Sequence, residues 1–216
     1  MRVAIMQPNF IPWLGYFKLM ENVDLFIFLD DAEYSKNTWH NRNRLLLKDN
    51  TTYTLTLPLS SYKINSKFNE IYLNHNAFNF RKFTRLINQN FKNKNNYEIF
   101  AKIFEILSEK NQPLSELNIQ IIHLMMDYLG IVTDTEKASN LELVGKRSER
   151  ILKILKSVNA TTYVSVDGAK HYMEMDGFYD AFEYRVEFFQ YSCNYSLERT
   201  RNADIKLSAL NYILDL

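Results

Sequence analysis

The sequence has few of the residues that mark several large classes of protein. Among its 216 residues are one cysteine, five glycines and four prolines. Cys193 has no second cysteine with which to form an intramolecular disulfide, which indicates a reducing compartment. No apolar run reaches about 18 residues, and no basic N-terminal region precedes a small-residue cleavage site. We therefore expect a cytoplasmic protein without membrane insertion.

The signatures of the common hydrolytic and nucleotide-binding enzymes are also missing. The chain has no Gly-x-Ser-x-Gly elbow, no Walker A sequence and no Gly-x-Gly-x-x-Gly loop. Its four histidines lack the spacing of metal ligands, so no metal site is predicted, and no cofactor can be identified. A net charge of +1 provides no general attraction to nucleic acid, which we do not expect as a partner.

The residues that are present predict one α/β domain over 1–216. Residues 2–6 and Leu25–Leu29 are uninterrupted apolar runs on either side of a short helical pattern, Leu14–Glu21. Continuous apolar strands are typical of sheets covered on both faces, and a right-handed crossover makes such strands parallel. Further strands are predicted at 131–133, 161–165 and 186–191, and helices at 147–158, 169–175 and 206–216.

Two other patterns complete the predicted fold. Residues 43–48 and 52–59 flank a short polar turn, and the second run alternates in the manner of a β-hairpin. Another short strand is predicted at Ile71–Leu73. Residues 76–130 repeat apolar side chains at spacings of three and four, which predicts a helical insertion or subdomain. The expected fold class is a mostly parallel Rossmann-like α/β sheet with a hairpin addition and this helical subdomain.

Polar side chains that follow the first two strands are the first candidates for chemistry. Gln7 follows the first strand, and Asp30 and Asp31 follow the second. An open α/β sheet places its ligand crevice at such strand ends. The carboxylates could bind an amine or a metal or act as a base, or they could simply form the polar turn that ends the strand. Because side chains alternate along a strand, at most one of them would face the crevice.

The segment from Tyr34 to Arg44 is the second concentration of functional groups. Tyr34, Trp39, Asn41 and Arg42 combine flat rings, an amide and a guanidinium group, which suit a sugar or a nucleotide. The equal alternative is a surface loop at a subunit interface, where Trp and Arg are also favoured and where a homo-oligomer would form.

Two histidines are candidates for moving protons. His40 lies inside the aromatic segment, and His171 lies shortly after a predicted strand, where it could share the crevice. The ordinary pKa of histidine lies near neutrality, so either could act as a general acid or base. A lone cysteine such as Cys193 is more often an inert apolar side chain than a nucleophile.

Several short motifs, taken in order, resemble the WbqC-like family. They are Met6-Gln7-Pro8, Pro12-Trp13-x-Gly15-Tyr16-Phe17, Asp30-Asp31-x-x-Tyr34, Trp39-x-Asn41-Arg42, Lys146, Thr162-Tyr163-x-Ser165, Tyr172, Phe189-Gln190-Tyr191 and Leu207-Ser208-x-Leu210. That family is associated with O-antigen and capsule gene clusters, so the resemblance implies a role in bacterial surface-polysaccharide biosynthesis. It also implies additional substrate-binding residues, namely Pro12, Trp13, Gly15, Tyr16, Ser165, Tyr172 and Gln190.

The N-terminal unit is also similar to nucleotidylyltransferases and pantothenate-synthetase-like ligases. The similarity rests on the strand, the loop, and Pro12-x-x-Gly15-Tyr16 entering a helix. Those enzymes carry His-x-Gly-His near this position, whereas Trp13 and Tyr16 occupy the approximate histidine places here. The similarity therefore implies a nucleotidylyltransferase-like sheet more than a reaction.

The leading hypothesis is an enzyme that modifies a nucleotide-linked amino sugar by N-acyl or aminoacyl transfer. In this hypothesis Gln7, Asp30 and Asp31 act on the amine, Trp39, Asn41 and Arg42 hold the sugar nucleotide, and His40 or His171 moves protons. One alternative is a nucleotide-dependent ligase or nucleotidylyltransferase. Another is a non-catalytic binding or assembly component of the polysaccharide machinery.

Overall fold

A computed structural model describes residues 1–36, 38–183, 185–191 and 206–216 of the chain. In these ranges a main sheet and a separate antiparallel hairpin are formed. The strands are β1 (Arg2–Met6), β2 (Leu25–Phe28), β3 (Arg42–Leu46), β4 (Thr52–Thr56), β5 (Asp134–Lys137), β6 (Thr162–Val166) and β7 (Arg185–Phe189). Strands β3 and β4 form the hairpin, and the other five form a parallel sheet in the order β5-β2-β1-β6-β7. The predicted α/β class and its parallel sheet are confirmed.

The helices surround this sheet and form a layer of their own in the middle of the chain. They are α1 (Leu14–Glu21), α2 (Phe80–Phe91), α3 (Ile99–Ser108), α4 (Leu114–Leu129), α5 (Arg147–Ser157), α6 (Lys170–Met175), α7 (Phe178–Ala181) and α8 (Ala209–Ile213). Short 3₁₀ turns lie at Phe68–Glu70, Ala138–Leu141 and Asp167–Ala169. In the part of the chain that the structure describes, no helix combines the length and apolarity needed to cross a bilayer.

Both faces of the main sheet are buried, each in its own hydrophobic core. Ala4 and Phe26 point into a core shared with α1, the middle helices and α8. Val3, Ile5 and Ile27 point the opposite way, into a core formed with α5, α6 and α7. Because side chains alternate along a strand, two covered faces require apolar residues at consecutive positions. This is the physical reason for the uninterrupted apolar runs.

The path of the chain through the sheet fixes where a crevice can form. From β1 the chain builds outward on one side through β2 and β5, then crosses to the other side for β6 and β7. The loops that leave the carboxyl ends of β1 and β6 therefore run in opposite directions. Such a switch point is where open α/β sheets leave a crevice for ligands.

Three local predictions are wrong or shifted. The strand expected at 131–133 lies at Asp134–Lys137, because Ile131 closes the end of α4 through its amide, 3.0 Å from the carbonyl oxygen of Met126. Ile71–Leu73 forms isolated bridges to Pro113 and Leu59 and no strand. The last helix begins at Ala209, after Ser208 accepts a hydrogen bond from the amide of Leu210. Cys193 lies outside the described residues.

Candidate functional site

A cavity of about 930 Å³ lies at the carboxyl ends of β1, β6 and β7, at the switch point of the sheet. This volume is within the usual range of ligand pockets, about 300–1,000 Å³. The described residues that line it are Met6, Asn9, Pro12, Trp13, Gly15, Tyr16, Leu19, Trp39, Asn43, Val166, Asp167, Gly168, Phe189, Gln190, Tyr191 and Lys206. Both tryptophans of the chain are among them.

Aromatic rings form the walls of this cavity. The Trp13 and Tyr191 ring centroids are 6.0 Å apart, and the Phe189 and Tyr191 rings are nearly parallel, with centroids 6.3 Å apart. The Trp13 indole lies directly over Gly15, where an added Cβ would be 2.1 Å from an indole carbon. Gly15 is therefore the residue that allows the indole to lie against the start of α1.

Two cations stand close to the tryptophan rings of the cavity, one of them, Lys206, in its lining. Lys206 Nζ lies 4.3 Å from the centroid of the Trp13 ring, and the Arg44 guanidinium carbon lies 5.3 Å from that of Trp39. Both distances fit cation–π contacts. Among the described lining residues, Lys206 is the cation and Asp167 is the carboxylate. The cavity thus offers flat apolar surfaces together with one charge of each sign.

The loop that follows β1 is held by two buried asparagines. Asn118 Nδ2 donates to the carbonyl oxygens of Pro8 and His40, both at 2.8 Å. Asn43 Nδ2 donates to those of Phe10 and Ile11, at 3.1 and 3.0 Å. Ile11 is buried and has a φ of 37°, a region that β-branched residues rarely adopt. The amide bonds to the neighbouring carbonyls keep the backbone in this strained shape.

Gln7, Tyr34, His40 and Asn41 form a polar cluster behind this loop. His40 Nε2 is 2.9 Å from Gln7 Oε1, and the Tyr34 hydroxyl donates to Asn41 Oδ1 at 3.1 Å. Burial lowers the pKa of His40 to about 4, so its imidazole is neutral at neutral pH. Burial is also the main reason that the pKa of Tyr34 is raised to about 12. His40 Nδ1 is buried and has no hydrogen-bond partner among the described residues.

Asp30 and Asp31 lie outside this cavity, shortly after the end of β2. Asp30 accepts hydrogen bonds from the Ser139 amide and hydroxyl at 2.9 and 2.6 Å. Asp31 forms a partly buried ion pair with Arg150, with 2.6 Å between Nη2 and Oδ2. Neither carboxylate is among the described residues that line the cavity. Their contacts attach the end of β2 to the 3₁₀ turn after β5 and to α5.

The other predicted site residues are distributed over several elements. Ser165 is buried in β6, 3.4 Å from the Tyr163 hydroxyl, and Arg42 begins β3. His171 is exposed on α6, and Tyr172 follows it in the same helix. Of the residues predicted to bind substrate, the cavity brings together Pro12, Trp13, Gly15, Tyr16, Trp39 and Gln190.

Several residues of the cavity were not proposed from the sequence. They include Asn9, Asn43, Asp167, Gly168, Tyr191 and Lys206. Asp167 and Gly168 directly follow β6, which neighbours β1, so they lie at the same edge of the sheet as the loop after β1. Within the described ranges, no three His, Cys, Asp or Glu residues are grouped so that they could hold a metal ion.

The fold and this cavity define the class: a Rossmann-like α/β protein with a candidate ligand site at the switch point of a parallel sheet. The chain belongs to the WbqC-like protein family, whose sequence profile matches residues 7–213. It is 31% identical over 199 residues to a protein of Mycobacterium tuberculosis (strain ATCC 25618 / H37Rv) described as uncharacterized protein Rv1507c; the match covers 88% of this chain and 82% of that protein. No solved structure matches the chain significantly. The resemblance of the sequence motifs to this family is confirmed.

Proposed function

We propose that the chain is an enzyme of bacterial surface-polysaccharide biosynthesis that binds a nucleotide-linked amino sugar and transfers an acyl or aminoacyl group to the sugar amine. The observation that carries the proposal is the aromatic, two-charge cavity at the switch point. Family membership supports the biological setting.

The cavity suits the parts of a sugar nucleotide. Trp13, Trp39 and Tyr191 offer faces on which a nucleobase or the apolar face of a sugar can stack. Lys206 supplies the cation that phosphate oxygens require, and the amides of Asn9 and Gln190 can bind sugar hydroxyls.

Asp167 is the group that we assign to the amine. Asp30 and Asp31 were predicted for this role, but their oxygens are bound to Ser139 and Arg150, outside the cavity. In the transfer, the amine nitrogen bonds to the acyl carbon of an activated donor and the bond from that carbon to the donor's leaving group breaks. Asp167 accepts the proton that the nitrogen releases and passes it to the leaving group.

The two tryptophans provide a direct assay, since both line the cavity. Intrinsic fluorescence should change on titration with UDP-, dTDP- or GDP-linked amino sugars, and the melting temperature should rise. Asp167→Asn should still bind these sugar nucleotides, more weakly because the ammonium group loses its carboxylate partner, and should lose transfer to the amine from an acyl or aminoacyl donor. Lys156→Ala, on the exposed side of α5, is the control and should change neither.

Other outcomes would point to the alternative functions. A response to ATP with release of pyrophosphate would indicate a ligase or nucleotidylyltransferase. If none of these ligands changes the fluorescence or the melting temperature, the proposal fails and a non-catalytic assembly component becomes the better interpretation.

A further inference from the structure

Most of the five glycines of the chain occupy positions where the protein itself requires a glycine. Gly130, Gly145 and Gly177 have φ values of 68°, 145° and 64°, which residues with a Cβ rarely adopt. Gly15 has the Trp13 indole where its Cβ would be. Four of the five are therefore explained by backbone conformation or by packing.

Gly168 is the exception. Its φ is not positive, and apart from Gly168 itself and its chain neighbours no atom of the described residues lies within 4 Å of the place where a Cβ would be built. It lies in the 3₁₀ turn directly after β6 and lines the cavity. No contact or backbone conformation within the described protein requires a glycine here. At the wall of a cavity, a glycine leaves room for a ligand to approach the backbone closely.

We propose that Gly168 determines which sugars the cavity accepts, because the amino-sugar ring of the substrate packs against its Cα. This inference rests on the proposed function. In this proposal Gly168 selects the sugar, whereas other residues of the cavity bind the substrate and take part in the reaction.

The charges of the cavity favour the sugar over the phosphates at this position. Gly168 is adjacent in sequence to Asp167, whose carboxylate would repel a diphosphate and attract an ammonium group. The cation of the described lining, Lys206, instead stands on the Trp13 ring. The phosphates therefore belong near Lys206, and the amine-bearing ring belongs near Asp167 and Gly168.

The test is the affinity of Gly168→Ala for two classes of probe, measured by tryptophan fluorescence and calorimetry. The probes are UDP-, dTDP- and GDP-linked amino sugars and the matching nucleoside diphosphates. Gly168→Ala should weaken binding of the sugar nucleotide by about tenfold, and Gly168→Val by more, because an added side chain overfills the contact. Affinity for the nucleoside diphosphate and the melting temperature of the free protein should stay as in the wild type. Ser108→Thr adds one methyl group on the exposed surface of α3 and is the matched control.

Each other result has a definite meaning. If the wild type binds none of the sugar nucleotides, the proposed function fails, and this inference fails with it. If the wild type binds and Gly168→Ala binds equally well, only the role of Gly168 is refuted. Equal loss of sugar nucleotide and nucleoside diphosphate would place the nucleotide at Gly168 and would overturn the inference. So would an unfolded Gly168→Ala protein, because the glycine would then be needed for folding.

Discussion

Burial makes the imidazole of His40 a weaker base than its residue type suggests. A histidine in a polar, aromatic segment is a reasonable candidate for a general base. Here the ring packs edge-on against Phe68, with centroids 4.5 Å apart, and Nε2 is hydrogen-bonded to Gln7. With a pKa of about 4, it is uncharged at neutral pH. Its position fits a residue that fixes Gln7 and so the loop after β1.

The lowered pKa of His40 predicts how stability depends on pH. Above its ordinary value of 6.5 the ring is neutral in both the folded and the unfolded chain. As the pH falls from about 6.5 towards 4, the unfolded chain binds a proton that the folded protein does not, and stability is lost. His40→Gln should reduce this slope of the unfolding free energy by at most about 1.4 kcal/mol per pH unit, in urea titrations at several pH values. His171→Gln, which removes an exposed histidine, is the matched control variant. A slope unchanged by His40→Gln would contradict the assignment.

The close packing of the Trp13 indole on Gly15 predicts that a larger residue at this position destabilises the protein. In Gly15→Ala the new Cβ would lie 2.1 to 2.6 Å from three carbons of the Trp13 ring, so the indole must move. We expect a loss of about 1–3 kcal/mol in the free energy of unfolding and a changed tryptophan emission spectrum. In a Trp13→Ala background the same substitution should cost much less, because the clash is gone. A double-mutant cycle without such coupling would show that Trp13 does not pack on Gly15.

The strands and helices of the sheet were largely predictable from local pattern, and the failures have local causes. β1 and β2 carry uninterrupted apolar residues because both of their faces are covered. The predicted position of β5 is wrong by a few residues. This strand lies at the edge of the sheet, consists of the polar residues Asp134-Thr135-Glu136-Lys137, and is only partly buried. An edge strand pairs on one side only and needs no apolar pattern. Residues 131–133 were more apolar, so they were mistaken for the strand.

The ion pair between Asp31 and Arg150 joins two elements, β2 and α5. The side chains are 17% and 8% exposed, and Arg150 also donates to the carbonyl oxygen of Ala138 at 3.2 Å. Arg150→Met leaves a carboxylate without its partner and should cost about 3–5 kcal/mol of unfolding free energy in urea titrations. The double variant Asp31→Asn, Arg150→Met should recover much of that loss.

This double variant also separates a structural from a catalytic Asp31. Because neither residue lines the cavity in the described chain, the recovered protein should bind sugar nucleotides and transfer acyl groups as the wild type does. Binding that is retained while transfer is lost would return Asp31 to the catalytic role first predicted from the sequence.

The composition of the cavity depends on strand order, which local sequence does not encode. The sequence predicts a crevice at the turn after β1. Asp30 and Asp31 are expected beside it, because β2 is next in the chain. In the sheet, β1 lies between β2 and β6, and the described cavity opens on the β6 side. Trp13, Gly15 and Trp39 could be selected from short motifs. Asp167, Gly168 and Lys206 could not, because they reach the cavity through pairings between residues far apart in sequence.

Residues 206–216 are attached to the loop after β1 and to the hairpin, which makes the cavity dependent on distant parts of the chain. The Ala209 amide donates to the carbonyl oxygen of Pro12 at 2.7 Å, and the Ser208 amide donates to that of Arg44 at 2.9 Å. Asn211 is buried and bonds both ways to Leu46: its Oδ1 accepts from the amide at 3.0 Å, and its Nδ2 donates to the carbonyl at 2.9 Å. The segment that carries Lys206 is thereby fixed beside Trp13.

Asn211→Ala should therefore loosen the cavity from a distance. The variant leaves the amide and carbonyl of Leu46 without these partners, which should cost about 1–3 kcal/mol. We expect urea unfolding followed by tryptophan fluorescence, which reports on Trp13 and Trp39, to shift to lower urea than unfolding followed by far-UV circular dichroism. The two transitions coincide when a protein unfolds as one cooperative unit. Asn140→Ala, an exposed residue near β5, should keep the wild-type relation between the two signals. If both signals shift together in Asn211→Ala, the segment and the cavity unfold with the rest of the protein, and Asn211 contributes to general stability alone.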